Sequence, residues 1–223
     1  MISRAPPADS PPARHRLVRV VRDAWPAVLA AHGLAHEPLL HDWAARGRPL
    51  IVRRPAPGER GLALGLPLPP SAGKRRIAVT VRASQIASIE PPPNLDAVAP
   101  AAPPAWQPCL RALAALAARH AVDCRVFGSL AWQALTGLPY LGAASDLDIL
   151  LTLPAERHAL TALLDGLAAL DARAPMRIDG ELVRADGAGV NWRELQTGMG
   201  EVAVKTATEV VLCAPDAFLE VSR

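Results

Sequence analysis

Aromatic side chains are scarce in this chain, with one Tyr, two Phe and five Trp among 223 residues. A nucleic-acid surface needs aromatics interleaved with basic residues to stack bases, and too few are present to build one. Nucleic acid is therefore not an expected partner. Cysteine is rarer still: Cys109, Cys124 and Cys213 are far apart and odd in number, which excludes a disulfide framework or a CxxC metal site and suits a reducing cytoplasm. No run of eighteen apolar residues marks a membrane span, and MISRAPPADSPPARHR holds no apolar stretch of the signal-peptide kind. The expectation is a cytoplasmic protein with no membrane partner. The six histidines show no ligand spacing.

What remains is an apolar, alanine- and proline-rich chain with 51% hydrophobic and 20% charged residues, the composition of a folded globular protein. Its length fits one large domain or two small ones, and two are expected. Charge divides unevenly: residues 1–105 carry a formal +7 and residues 106–223 a formal −4. A basic half can hold a polyanionic ligand while an acidic half holds metal, although mutual attraction of the halves explains the counts equally well. Proline clusters between Glu90 and Pro108 mark a stiff spacer. The expected organisation is a flexible N-terminus (1–12), a smaller basic α+β domain (13–90), a Pro-rich linker (91–108) and a catalytic domain (109–223).

In the first half the pattern predicts short strands over 17–21, 49–54 and 77–81, a helix begun by Asp23 and Pro26, and a helix over 36–46. A loop is expected where Gly and Pro punctuate GLALGLPLPPSAG. Arg53, Arg54, Lys74, Arg75 and Arg76 could cradle phosphates, Arg as a planar fork and Lys as a point charge, though solvated surface is the commoner fate of such residues. In the second half helices are expected over 109–120, 130–136 and 154–170, and strands over 124–127, around Asp146, and over 176–183, 190–193 and 202–206. A terminal segment spans 209–219. This alternation reads as an α/β (α+β) fold with a mixed sheet and flanking helices.

The stretch FGSLAWQALTGLPYLGAASDLDILL carries the chemistry. Asp146 and Asp148 stand two apart, so on a strand both leave one face and can converge on a divalent cation. Their mutual repulsion would be relieved by that ion. Gly128 allows close backbone approach, and Ser129 adds amide and hydroxyl donors at a helix start. A third carboxylate comes from RIDGEL, where Asp179 and Glu181 share a face; Asp179 is preferred and Glu181 is the substitute.

Phe127-Gly128-Ser129, Asp146-x-Asp148 and the later Asp179 resemble the nucleotidyltransferase superfamily typified by DNA polymerase beta. A closer resemblance, carried by ARHRLV, GRPLIVRR, GLPLP, KRRI, the FGS to DILL stretch, IDGEL, DGAGVNWREL and Val204-Lys205-Thr206, is to the malonate decarboxylase holo-acyl-carrier-protein synthase family, the phosphoribosyl-dephospho-CoA transferases. Arg16 stands where members often carry Asp.

The resemblance implies a nucleotidyltransferase-like fold. It also implies transfer of phosphoribosyl-dephospho-CoA from its triphosphate precursor, triphosphoribosyl-dephospho-CoA, onto a serine of an apo acyl-carrier protein, with release of pyrophosphate. Mg²⁺ would sit on Asp146, Asp148 and Asp179, with Gly128 and Ser129 gripping the outer phosphates and the basic residues neutralising the rest. It adds Asn191, Arg193 and Lys205 as substrate contacts, in a stretch where Trp192 reads as a strand residue. Two rival readings stand beside it: a nucleotidyltransferase that uses the same acids to act from ATP, and a non-catalytic carrier-binding module with a degenerate site. The site is expected between the two halves.

Overall fold

The structure, a computed structural model, describes residues 12–198 and 200–220. All but the last residue of the expected flexible N-terminus lies outside them. The chain divides into two compact units, 1–66 with 78–90, and 67–77 with 91–223.

The first unit is built on the strands β1 (Leu17–Val20), β2 (Leu50–Val52), β3 (Leu62–Pro67), β4 (Arg76–Val81) and β5 (Ile86–Glu90), in the order β4-β3-β2-β1-β5, with Pro67 at the end of β3 and Arg76 and Ile77 at the start of β4 counted in the second unit. Helices α1 (Trp25–Ala31) and α2 (Pro38–His41) lie between β1 and β2 in the chain. Strand β1 pairs antiparallel with both β2 and β5. The aromatic residues Trp25 and Trp43 are fully buried, and each indole donates to a main-chain carbonyl, of Leu40 at 2.6 Å and Pro49 at 3.0 Å. That is how a buried indole avoids an unpaired N–H.

Three expectations differ from this architecture. Of the helix expected over 36–46 only Pro38–His41 forms, and residues 42–46 are turns. Strand β3 occupies part of the stretch expected to be a loop. Its Ala63, Leu64 and Leu66 are buried, so sheet burial overrides the local signal of its glycine and proline. Strand β5 was not expected at all.

The second unit is built on a six-stranded sheet, β11-β10-β9-β8-β7-β6. In chain order its elements are α3 (Leu95–Val98), α4 (Gln107–Arg119), β6 (Cys124–Phe127), α5 (Gly128–Thr136), β7 (Leu147–Thr152), α6 (Arg157–Asp171), β8 (Ile178–Val183), β9 (Gly189–Asn191), α7 (Trp192–Gln196), β10 (Val202–Lys205), β11 (Val210–Cys213) and α8 (Pro215–Glu220). Strands β7 and β8 run parallel through the α6 crossover, and the other described pairs are antiparallel. The result is a mixed α+β fold. Leu110, Leu113, Leu163 and Leu167 pack α4 and α6 over Val126, Ile149 and Ile178. Each such leucine contributes roughly 2 kcal/mol through burial.

The expected linker is a correction. Residues 91–108 belong to the second unit, with Leu95, Val98 and Trp106 in its core. The Pro93 carbonyl accepts from Val126 N–H at 2.8 Å, and Asn94 bridges to Arg125. Prolines are tolerated because Pro100, Pro104 and Pro108 fall in the first turns of helices, where a missing N–H costs nothing.

Candidate active site

Strand alternation places Leu147, Ile149 and Leu151 in the core and Asp148 on the other face. Antiparallel register sets Phe127 opposite Asp148, so the carboxylate meets the turn from β6 into α5. Gly128 has φ +66°, and a Cβ there would lie 1.8 Å from Asp148 Oδ2. Only glycine meets both demands. The Ser129 amide donates to the Asp148 carboxylate, so the N–H assigned by sequence to a substrate phosphate is here given to the protein's own acid.

Parallel register then sets Asp179 beside Asp148, and Glu181 beside Leu150. Asp146 comes just before β7. Burial, the Asp179 charge and the Asp146 charge, in that order, push Asp148 up to about 7, against the opposing pull of the Ser129 amide and Arg177. Asp148 is therefore within electrostatic range of each of the other two acids that sequence grouped with it.

Glu181 has a different setting. It is only 6% exposed and accepts from Lys205 Nζ at 2.9 Å. A Cβ at Gly189 would stand 2.7 Å from its Oε2, so β9 closes over it. Lys205, expected at the substrate, is thus engaged with a buried carboxylate.

Asn191 and Arg193 are likewise held by the protein. Asn191 caps α7, accepting from Arg193 N–H at 3.0 Å through Oδ1 and donating from Nδ2 to Asp179 Oδ1 at 2.8 Å. Arg193 donates to the Ile178 carbonyl at 3.1 Å, pairs with Asp171 at 2.8 Å and lies over the Trp192 ring at 4.3 Å. Trp192 opens a helix, not the strand expected, and its indole donates to the Ile178 carbonyl. The Asn-x-x-Glu spacing of 191–194 was a legible helix-start signal. Sequence reasoning missed Arg177, which lies 3.6 Å from Asp179, and Asp171, which also accepts from the Ile178 amide.

Arg53 and Arg54 belong to the first unit, and Lys74, Arg75 and Arg76 to the second. Arg53 grips Glu59 through two nitrogens and donates to the Leu64 and Arg54 carbonyls. Arg53 and the Ala56 amide hold Glu59 down to about 2. Arg54, Lys74, Arg75 and Arg76 are exposed.

Among the described residues no group of three His, Cys, Asp or Glu side chains is drawn together closely enough to hold an ion. The donor chemistry nevertheless fits a hard divalent cation: oxygen ligands only, with Asp148 carrying repulsion that a cation would remove.

Residues 13–92 match the family described as phosphoribosyl-dephospho-CoA transferase MdcG N-terminal domain, and residues 93–216 match the corresponding C-terminal domain. The chain belongs to the phosphoribosyl-dephospho-CoA transferase family. The boundary between the two matches falls within a few residues of the division between the compact units at Glu90. A phosphoribosyl-dephospho-CoA transferase of Bradyrhizobium diazoefficiens is 48% identical over 213 residues, covering 95% of this chain and 94% of that protein. One of Xanthomonas euvesicatoria pv. vesicatoria is 44% identical over 200 residues, covering 86% and 90%. No solved structure matches the chain. Among the described residues no helix is long and apolar enough to cross a membrane.

Proposed function

We propose that this chain is a transferase that moves the phosphoribosyl-dephospho-CoA group from triphosphoribosyl-dephospho-CoA onto a serine of the apo acyl-carrier protein of malonate decarboxylase. The serine oxygen bonds to the donor's innermost phosphorus, the bond to pyrophosphate breaks, and the serine proton leaves. Family membership supports the transferred group. The observation that carries the chemistry is the register of Asp148 beside Asp179 at the Gly128 turn.

Asp146, Asp148 and Asp179 would hold Mg²⁺, which when bound supplies positive charge to the triphosphate and its leaving pyrophosphate. The remaining roles belong to the chain itself. Asn191 fixes the Asp179 carboxylate through its Nδ2 donor. Gly128 admits the Asp148 carboxyl, and the Ser129 amide orients it. The Ser129 hydroxyl, at the start of α5, is the donor assigned to an outer phosphate. Lys74, Arg75 and Arg76, in the same unit as the acids, supply exposed cations for the polyanionic donor. Arg53, Arg193 and Lys205 are engaged with acids of the protein, and their part is to hold the frame.

The test is incubation with Mg²⁺, apo carrier protein and either the triphosphoribosyl donor or ATP, reading pyrophosphate release and the mass of the carrier. Modification from the triphosphoribosyl donor alone is expected. Modification from ATP alone would replace this reading with a different nucleotidyltransferase. No modification by a folded protein that still binds the carrier would replace it with a binding module.

A further inference from the structure

Among the described residues the outer strand of the second unit's sheet, β11, pairs on one side only, with β10. Val210, Val211 and Leu212 are 51%, 43% and 62% exposed. Consecutive strand residues point to opposite faces, so three exposed in a row leave both faces of β11 uncovered. Natural edge strands are guarded by Lys, Pro, a bulge or a covering element. Val210–Cys213 contains no charge or proline, and its register with β10 runs without a shift from Val202↔Cys213 to Lys205↔Val210.

The free backbone groups can be located. Thr206 N–H donates to the Glu209 carbonyl at 2.9 Å, closing the β10–β11 hairpin. Antiparallel alternation from that pair turns the N–H and C=O of 209, 211 and 213 toward β10, and those of Val210 and Leu212 outward.

We propose that β11 pairs antiparallel with β11 of a second copy of this chain, about a two-fold axis through Val211. An axis relating antiparallel neighbours stands perpendicular to the sheet and keeps each face on its own side. Directly opposed residues must then share a face. Val211 meets Val211 of the partner subunit, Val210 meets Leu212 of the partner subunit, and Glu209 meets Cys213 of the partner subunit. This register joins the exposed apolar side chains, opposes no like charges, and uses the outward groups in about four hydrogen bonds. A parallel pairing would set two Glu209 carboxylates side by side. The same axis opens the Asp148 faces of both copies on one side of the joined sheet. The inference does not depend on the substrate proposed above.

Sedimentation of the full chain over a range of concentrations should show a monomer–dimer equilibrium. Val211→Lys puts two ammonium groups face to face at the axis, on a position already exposed. It should raise the dimer dissociation constant at least about ten-fold with the melting temperature unchanged. In a Cys213→Ser background, Val211→Cys should form an intermolecular disulfide under mild oxidation, because self-opposed non-hydrogen-bonded Cα atoms lie about 4.5 Å apart. Leu212→Cys, which does not face itself, should not. A wild-type monomer at every concentration, a dimer untouched by Val211→Lys, or equal cross-linking at 211 and 212 would overturn the proposal. So would a monomer in which Val211→Lys weakens binding of apo carrier protein, since the edge would then belong to the acceptor.

Discussion

Along β7 the buried Leu147, Ile149 and Leu151 belong to the core, while Asp148, one residue from each of two of them, sits on the opposite face with its proton affinity raised. Strand β8 repeats the contrast: Ile178 and Leu182 are in the core, and Asp179 and Glu181 are on the face with Asp148. One face is uniform and holds the unit together; the other carries the carboxylates of Asp148, Asp179 and Glu181. Packing helices α4 and α6 against one side fixes the strands that aim carboxylates from the other. Stability and chemistry are thus separated by a single residue step, and substitutions on the two faces should separate in the same way.

The largest expected effect is on the acidic face. Asp148→Asn should lower transfer at least about 10³-fold with little loss of melting temperature. Its neighbour Ile149→Ala should cost about 2–5 kcal/mol of stability while the folded fraction keeps its turnover; denaturant titration beside initial rates checks both. Gly128→Ala comes next. The added Cβ displaces the Asp148 carboxyl, so turnover should fall toward that of Asp148→Asn, and normal turnover would show that the carboxyl has room the register denies it.

Smaller and more discriminating is Asn191→Ser. Serine keeps the α7 cap but cannot reach Asp179, so turnover should drop about 10–100-fold with the melting temperature preserved. Equal activity of Asn191→Ser and wild type would reduce Asn191 to a helix cap.

The smallest effect is on pH dependence. The folded Asp148 value of about 7 lies above the ordinary 3.8, so the folded state holds a proton that the unfolded chain releases. That contribution is present at low pH and lost as pH rises through 7. In the presence of a chelator, stability should decline from pH 5 to 8 by at most about 3 kcal/mol, and Asp148→Asn should flatten the slope. Mg²⁺ should raise the melting temperature more at pH 8 than at pH 5, because it competes with that proton.

Part of the acidic face was legible because period-two alternation and a Gly-Ser turn are local signals: Gly128 and Asp148 follow from them, while Asp146, expected on the strand with Asp148, lies just before β7. The choice between Asp179 and Glu181 was not. Both share a face, and what distinguishes them is the parallel register of β8 with β7 and a lysine more than twenty residues away on β10. The same non-local pairing engages Asn191, Arg193 and Lys205 with protein acids or their neighbours, where the family resemblance pointed to substrate. The proline stretch misled for the opposite reason. Its composition reads as a spacer, yet Leu95, Val98 and Trp106 find partners in the core, and tertiary burial decided the outcome.

The most direct measurement compares Asp179→Asn with Glu181→Gln for transfer from the triphosphoribosyl donor to apo carrier protein, with melting temperatures recorded alongside. The pairing of Asp148 with Asp179 predicts a loss of at least about 10³-fold for Asp179→Asn at nearly unchanged stability, and for Glu181→Gln a loss of stability with turnover largely kept. Full turnover in Asp179→Asn, or loss confined to Glu181→Gln, would contradict it.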